Sequence, residues 1–423
     1  MSSHGNKVSP SEMVIGVIIG RASENFDFFV FGIASVLVFP SVFFPFVDQL
    51  TGTLYAFTLF AIAFVTRPIG TVVFMAIQRR YGRSVKLTSA LFLLGVATAG
   101  MAFTPSYGDI GTSAIVILAV MRLLQGAAIG GSWDGLASLL ALNAPSTKRG
   151  WYASIPQLGA PVGFIIASAL FAFLYANLSS ADFLAWGWRY PFYVAFAINV
   201  VALFARLRLV MTNEYAQLLD ANELEPVSAT ELLGAQWSNV VIGAFAALAS
   251  YALFHLVTVY PLSWIVLYSN QSVSEFLIVQ VIGGVLAILG IIASGIIADR
   301  VGRRVTLFIF AGLIAVFSGF APTLLGGGTL GQDVFMFIGF ILLGLSYGQA
   351  AGAVSANFAG KYRYTGAALT SDFAWLFGAG FAPLVALGLS ANFGLAYVSL
   401  YLLSGAACTV AALSINRALE IRN

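Results

Sequence analysis

Arg21, Glu24 and Asp27 stand three residues apart inside one apolar run. Side chains at i and i+3 of a helix are neighbours, so this set forms a charged line along one flank. A charge at the centre of a bilayer costs about 2.5–3.5 kcal/mol on insertion scales, and such groups usually pair and face a cavity. An Arg–Glu pair beside a second carboxylate suits proton coupling. One carboxylate stays ionised against the guanidinium while the other, desolvated, takes the proton. Asp27 and Glu24 are therefore the proton-coupling candidates and Arg21 a candidate substrate ligand. The plainer alternative is an ion pair that holds this helix to a neighbour.

Other polar residues interrupt apolar runs further along. Arg122 keeps its proton, so it acts only by exchanging partners or by binding an anion. Asp134 lies twelve residues on, roughly 18 Å along the same helix, and cannot pair with it directly. His255, close to Thr258, Tyr260 and Ser263, is a candidate for a binding cavity or a hydrogen-bonded packing residue. Gln157, Gln349 and Asn357 are polar candidates of the same kind. Arg67, beside the helix-breaking Pro68, divides between packing and gating. Asp134 and Asp372 read as gate carboxylates, Asp372 alternatively as a cavity residue. No Walker motif, nucleophile elbow or metal-ligand cluster occurs, so no cofactor or metal is expected and neither ATP-driven transport nor hydrolysis is supported. The single cysteine, Cys408, excludes an intramolecular disulfide.

The elements that must position these residues are membrane helices. Of 423 residues, 60% are hydrophobic and 9% charged, with 36 Phe, 43 Gly and a mean hydropathy of +0.93. A soluble domain carries about 25% charged residues, and continuous apolar runs disfavour a β-barrel. Runs near 13–45, 53–77, 87–105, 113–142, 150–177, 189–205, 238–268, 275–298, 305–323, 334–359, 366–389 and 393–416 predict twelve spanning helices. A net charge of +3 is too small to imply a nucleic-acid partner. Arg21, Arg67, Arg122 and Arg189 lie within or at the edge of helices, and the other Lys and Arg fall in the tails and in the loops after even-numbered runs. The opposite loops carry Asp48, Asp109, Asp182 and Asp333. This places both termini in the cytoplasm and makes the chain a multi-pass protein of the plasma membrane, the inner membrane in a Gram-negative cell.

Residues 212–236, with Glu214, Asp220, Glu223, Glu225 and Glu231, read as a cytoplasmic linker between six-helix halves 1–211 and 237–423. Arg80-Tyr81-Gly82-Arg83 and Asp299-Arg300-Val301-Gly302-Arg303-Arg304 repeat at a period of 220 residues, each after the second helix of its half. This is the parallel repeat of transporter halves built around a midplane site. The stretch GIIADRVGRR, from Gly295 to Arg304, resembles the loop signature of the major facilitator superfamily. The fold expected is thus an all-α membrane protein of twelve transmembrane helices in two pseudo-symmetric halves. Asp299 is suited to capping a helix or meeting cations across the gap between halves, and Arg300 to anchoring the same face. The first copy carries Arg79 where the second carries Asp299. An arginine of that loop, Arg79 or Arg80, is accordingly expected to reach Asp134 or Asp372.

A closer resemblance is to the metabolite–proton symporters of that superfamily, which carry organic acids or proline and betaine. Helix 1 matches at Glu24, Asp27, Phe28 and Gly32, helix 2 at Arg67-Pro68-Ile69-Gly70, and helix 4 from Arg122 through Gly126, Gly130, Gly131 and Trp133. Further matches are Lys148-Arg149-Gly150, Pro156-Gln157-Leu158-Gly159, Trp186 to Phe192 and Tyr362 to Gly366. Ser132 replaces the family's helix-4 glutamate, Asp134 a glycine and Asp372 a glutamine. The resemblance implies proton-coupled import of a small organic acid or zwitterion by a monomer in the lipid bilayer, with Arg122 linked to coupling. A drug-type efflux antiporter is the alternative within the superfamily, and a transport-inactive receptor the alternative outside it.

Overall fold

The computed structural model of the chain describes residues 10–415, apart from 143, 211–216, 218, 221–223, 356–357 and 359. Glu214, Glu223 and Asn357 lie outside the described residues. Twelve long helices run through the rest. They are α1 (Pro10–Leu37), α2 (Gln49–Tyr81), α3 (Arg83–Phe103), α4 (Thr112–Gly131), α5 (Ser146–Asn177) and α6 (Tyr190–Val210). There follow α7 (Leu248–Tyr268), α8 (Val273–Val301), α9 (Arg303–Leu325), α10 (Gly328–Ala353), α11 (Gly360–Phe393) and α12 (Ala396–Ile415). By length and composition, the helices α2 to α12 are apolar enough to cross a membrane. The chain is a multi-pass membrane protein. Helix α1 is as long, at 28 residues, and its Arg21, Glu24 and Asp27 lower its hydropathy.

Several ends differ from the apolar runs. A helix at Ala229–Ala246 precedes α7 and takes in residues 229–236 of the stretch read as linker. Helix α6 extends through Arg206, beyond the run that ended at 205. Helix α4 stops at Gly131, eleven residues before the end of its run; Ser132–Gly135 leave the helix and a short one resumes at Leu136–Leu142. Gly135 holds φ +79, a conformation that favours glycine. The break frees the carbonyls of Ser132 and Trp133, which take donors from other helices instead. Helix α7 breaks at Val259, just before Pro261, which has no N–H to continue the ladder. Helix α11 widens into a π-turn at Trp375–Gly380, a feature frequent at functional sites.

Close packing sets the register of the charged flank. A Cβ on Gly159 would stand 2.4 Å from the Arg21 Cβ, and one on Gly163 2.6 Å from the Ala22 carbonyl oxygen. Helix α5 therefore lies hard against α1 and fixes how Arg21 and Glu24 face. The two repeat loops match in backbone as well as sequence: Gly82 holds φ 90 and ψ 169, Gly302 φ 85 and ψ 152.

Candidate functional site

A cavity of about 60 Å³, measured as the space open to the centre of a water molecule, lies between the two halves. On this measure it holds roughly four to six waters, whose share of liquid volume is about the size of a small organic molecule. Arg21 and Glu24 of α1, Arg67 of α2, Gln157 of α5, Tyr251 and His255 of α7, Tyr347 of α10 and Trp375 of α11 line it, with Trp133 from the break after α4.

Both wall arginines are half used. Arg21 donates from Nη1 to Glu24 Oε2 at 3.1 Å, and its guanidinium lies 5.3 Å from the Trp133 ring. Arg67 donates from Nε to Asp372 Oδ1 at 2.6 Å and lies 5.8 Å from the Trp375 ring. Among the described residues each guanidinium makes that hydrogen bond and no other, so two nitrogens of each remain for the cavity. Trp133 Nε1 and His255 Nε2 are buried without a partner among the described residues.

Asp27 sits behind this wall, fully buried within the first half. Its carboxylate accepts from Thr98 Oγ1 at 2.5 Å, Gln125 Nε2 at 2.6 Å and Asn199 Nδ2 at 2.8 Å. All three donors are neutral. Arg122 reaches Asp27 only through Gln125, whose Oε1 accepts from Nη1 of the arginine. The Arg122 guanidinium also donates to the Phe60 carbonyl at 3.1 Å and lies among the rings of Phe28, Phe31 and Phe60 at 4.6, 4.0 and 5.1 Å. Such contacts favour a desolvated cation. Glu24 is held differently: besides Arg21, it accepts from Arg206 Nη1 and Ser132 Oγ, each at 2.7 Å. Arg206 also binds Asp134 Oδ2 and the Ser132 carbonyl, both at 2.7 Å.

Toward the face where α1 begins, contacts join the halves. Asp372 accepts from Arg67 and from Thr71 Oγ1. Tyr364 Oη of α11 donates within reach of Gln78 Oε1 and the Trp133 carbonyl, each 3.1 Å away, and lies 3.0 Å from Lys86 Nζ. Asp299 at the end of α8 accepts from the backbone N–H of Gly150 at 2.7 Å and of Trp151 at 3.3 Å, near the start of α5. A carboxylate there meets unpaired N–H groups and the positive end of the helix dipole. The cavity is thus sealed on this side by contacts between elements of opposite halves.

Residues 26–383 match the family Major Facilitator Superfamily. The chain belongs to the major facilitator superfamily. It is 36% identical over 415 residues to the inner membrane metabolite transport protein YhjE of Escherichia coli, covering 96% of this chain and 93% of that protein. It is 31% identical to the shikimate transporter of the same organism, covering 95% and 92%. To the proline/betaine transporter of Salmonella typhimurium it is 26% identical, covering 88% and 76%. A D-xylose–proton symporter of known structure superposes with a TM-score of 0.73 at 17% identity, covering 96% of both chains, which shows the common fold. The resemblance read from the motifs holds, and the chain is a membrane transporter rather than an enzyme.

Within this superfamily transporter, Arg21, Glu24, Gln157, His255 and Arg67 come together around one cavity. Gln157 donates to the Tyr347 carbonyl at 3.2 Å. Arg122 and Gln349 do not line it. Gln349 donates to the Gly150 carbonyl at 3.1 Å and accepts from Arg303 at 3.4 Å, which places it in the contact between halves. The partners expected for the gate carboxylates differ from those found. Arg79 donates to the Val227 carbonyl at 3.1 Å and Arg80 lies over Tyr81, while Asp134 meets Arg206 and Asp372 meets Arg67. The loop arginines point along the protein surface, whereas Arg206 and Arg67 project from buried helix faces. Arg300 is exposed. Sequence reasoning missed Arg206 and Lys86, counting both as loop cations although they are 6% and 2% exposed. One signal was present: Asn199 and Arg206 are seven residues apart, two helical turns, and meet Asp27 and Glu24 respectively.

Proposed function

We propose that the chain imports a small organic acid together with a proton by alternating access, working as a monomer with both termini in the cytoplasm. Halves 1–211 and 237–423, joined by residues 212–236, rock around the cavity. The observation that carries this reading is the unequal setting of the two α1 carboxylates. Glu24 faces two guanidinium groups, and protonating it would leave cations unpaired. Asp27 faces three neutral donors, so it takes up a proton without breaking an ion pair, and the Thr98 hydroxyl can turn from donor to acceptor. When Asp27 is charged, Gln125 links it to Arg122; when neutral, Arg122 remains in its phenylalanine surround. The unspent nitrogens of Arg21 and Arg67 supply donors for a carboxylate substrate. Gate duty falls to Arg67, Asp372 and Asp299 through the contacts between halves described above, while Asp134 braces Arg206 within the first half.

The test is uptake into proteoliposomes under an inward proton gradient. Asp27→Asn should abolish accumulation against a gradient and preserve exchange of labelled for unlabelled acid. Full proton-driven accumulation in that variant would refute the assignment.

A further inference from the structure

The four residues between α4 and the helix that resumes at Leu136 are tied to two places at once. Ser132 Oγ donates to Glu24 Oε1 at 2.7 Å, and the Ser132 carbonyl accepts from Arg206 Nη2 at 2.7 Å. Asp134 Oδ2 accepts from the same guanidinium, also at 2.7 Å. Trp133 stands between these two anchors. It lines the cavity, and the guanidinium of Arg21, on the same wall, lies 5.3 Å from its ring. Its carbonyl accepts from Lys86 Nζ and lies 3.1 Å from Tyr364 Oη. In an unbroken helix that carbonyl would be bound to the N–H four residues on, and no partner from another helix could use it. One residue thus joins the wall of the cavity to the contact between halves.

Tyr364 is a key from the second half in a socket built by the first. Gln78 of α2, Lys86 of α3 and the Trp133 carbonyl surround its hydroxyl. Gly135 backs its ring: a Cβ there would stand 2.7 Å from Tyr364 Cε2, at a φ of +79 that already favours glycine. The tyrosine is 1% exposed and Lys86 2%, so losing the hydroxyl takes a partner from a buried ammonium. Buried polar groups cost most when a partner is removed, and the socket holds only while its members stay aligned. We propose that the Trp133 peptide couples the cavity to this lock. Pinned on both sides by Arg206, it turns about those anchors. A ligand that draws Arg21 off the indole swings the carbonyl from Tyr364 and Lys86 and frees the second half. Lys86 and Tyr364 are then the gating pair, and Trp133 is the positioning residue between them and the cavity. The inference rests on alternating access in the reading above, and on neither the substrate nor the proton.

The experiment reads the distance between spin labels on α2 and α11 at the terminal face. It uses the full chain with Cys408 replaced, in proteoliposomes with no transported solute and no gradient. Tyr364→Phe keeps the ring in the socket and removes the hydroxyl, so the ratio of open to closed protein should rise about tenfold or more. Trp133→Ala keeps the carbonyl and removes the ring that steadies it, and should raise the ratio too; Trp133→Phe should raise it less. Trp186→Ala, at a residue 42% exposed just before α6, should leave it unchanged. In the double variant Trp133→Ala/Tyr364→Phe the rise should be smaller than the product of the two single effects, because both act on one lock. A wild-type ratio in both Trp133 variants, or effects that multiply strictly, overturns the inference and leaves the import reading standing. So does a rise in Trp186→Ala as large as that in Trp133→Ala. An unchanged ratio in Tyr364→Phe removes the lock itself. One single distance in the wild type and in every variant removes alternating access, and with it the reading on which the inference rests.

Discussion

Arg67 and Asp372 join α2 to α11 across the two halves, and their side chains are only 9% and 4% exposed. Removing one partner of a buried pair strands the other charge, at a cost of about 3–5 kcal/mol. That cost falls on the conformation in which the pair is sealed; once the halves part at this face, water solvates the survivor. Asp372→Ala should therefore shift the equilibrium toward the conformation open at the terminal face. At 1.4 kcal/mol per tenfold, the shift lies between about a hundredfold and a few thousandfold. The cation–π contact of Arg67 with Trp375 persists in the variant and makes the lower figure the better guide. The assay is a distance distribution between spin labels on α2 and α11 near that face, with Cys408 replaced. The neutral double variant Arg67→Gln/Asp372→Asn should open less than the two single neutral variants predict together, by a coupling of roughly 0.5–3 kcal/mol. An unchanged distribution in Asp372→Ala, or strictly additive effects, would refute the latch.

Arg206→Gln leaves Asp134 and Glu24 without their shared guanidinium, so its melting temperature should fall well below that of Arg300→Gln, whose parent residue is exposed; equal values would count against the buried network. Gly70→Ala would put a Cβ 2.0 Å from the Ala127 carbonyl oxygen, whereas Gly312→Ala meets open space, so detergent-stable yield should drop for the first and hold for the second. Arg83 of the first repeat meets Asp220 and Glu225, so Arg83→Glu should increase maleimide labelling of a cysteine at the terminal face, and adding Glu225→Arg should reverse part of that increase. Asp299→Ala removes the carboxylate that accepts from the α5 N–H groups, and the same labelling should rise there too, while a rate equal to wild type would show that this cap does not hold the halves.

The twelve helices and the paired loops were legible because each depends on local composition. Apolar length marks a span, and Gly82 and Gly302 mark equivalent turns. Partner choice was not legible in the same way. Asp372 and Arg67 are 305 residues apart, and which arginine reaches a carboxylate depends on helix rotation that hydropathy does not encode. The ends of spans misled for a physical reason. Helices α3 and α6 continue past their apolar cores, so Lys86 and Arg206 look like loop cations while their helices carry them inward. The spacing of Arg21, Glu24 and Asp27 pointed to a coupled set, but only the structure separates the carboxylate bound to cations from the one bound to neutral donors.

The most direct measurement is the direction of proton movement when substrate is added. Proteoliposomes with a pH indicator outside receive a transported organic acid, without any imposed gradient. Proton-coupled import by way of Asp27 predicts that the external medium becomes more alkaline as acid and proton enter together, and that Asp27→Asn removes the signal. External acidification on addition of substrate, or uptake with no proton movement in the wild-type protein, would contradict it.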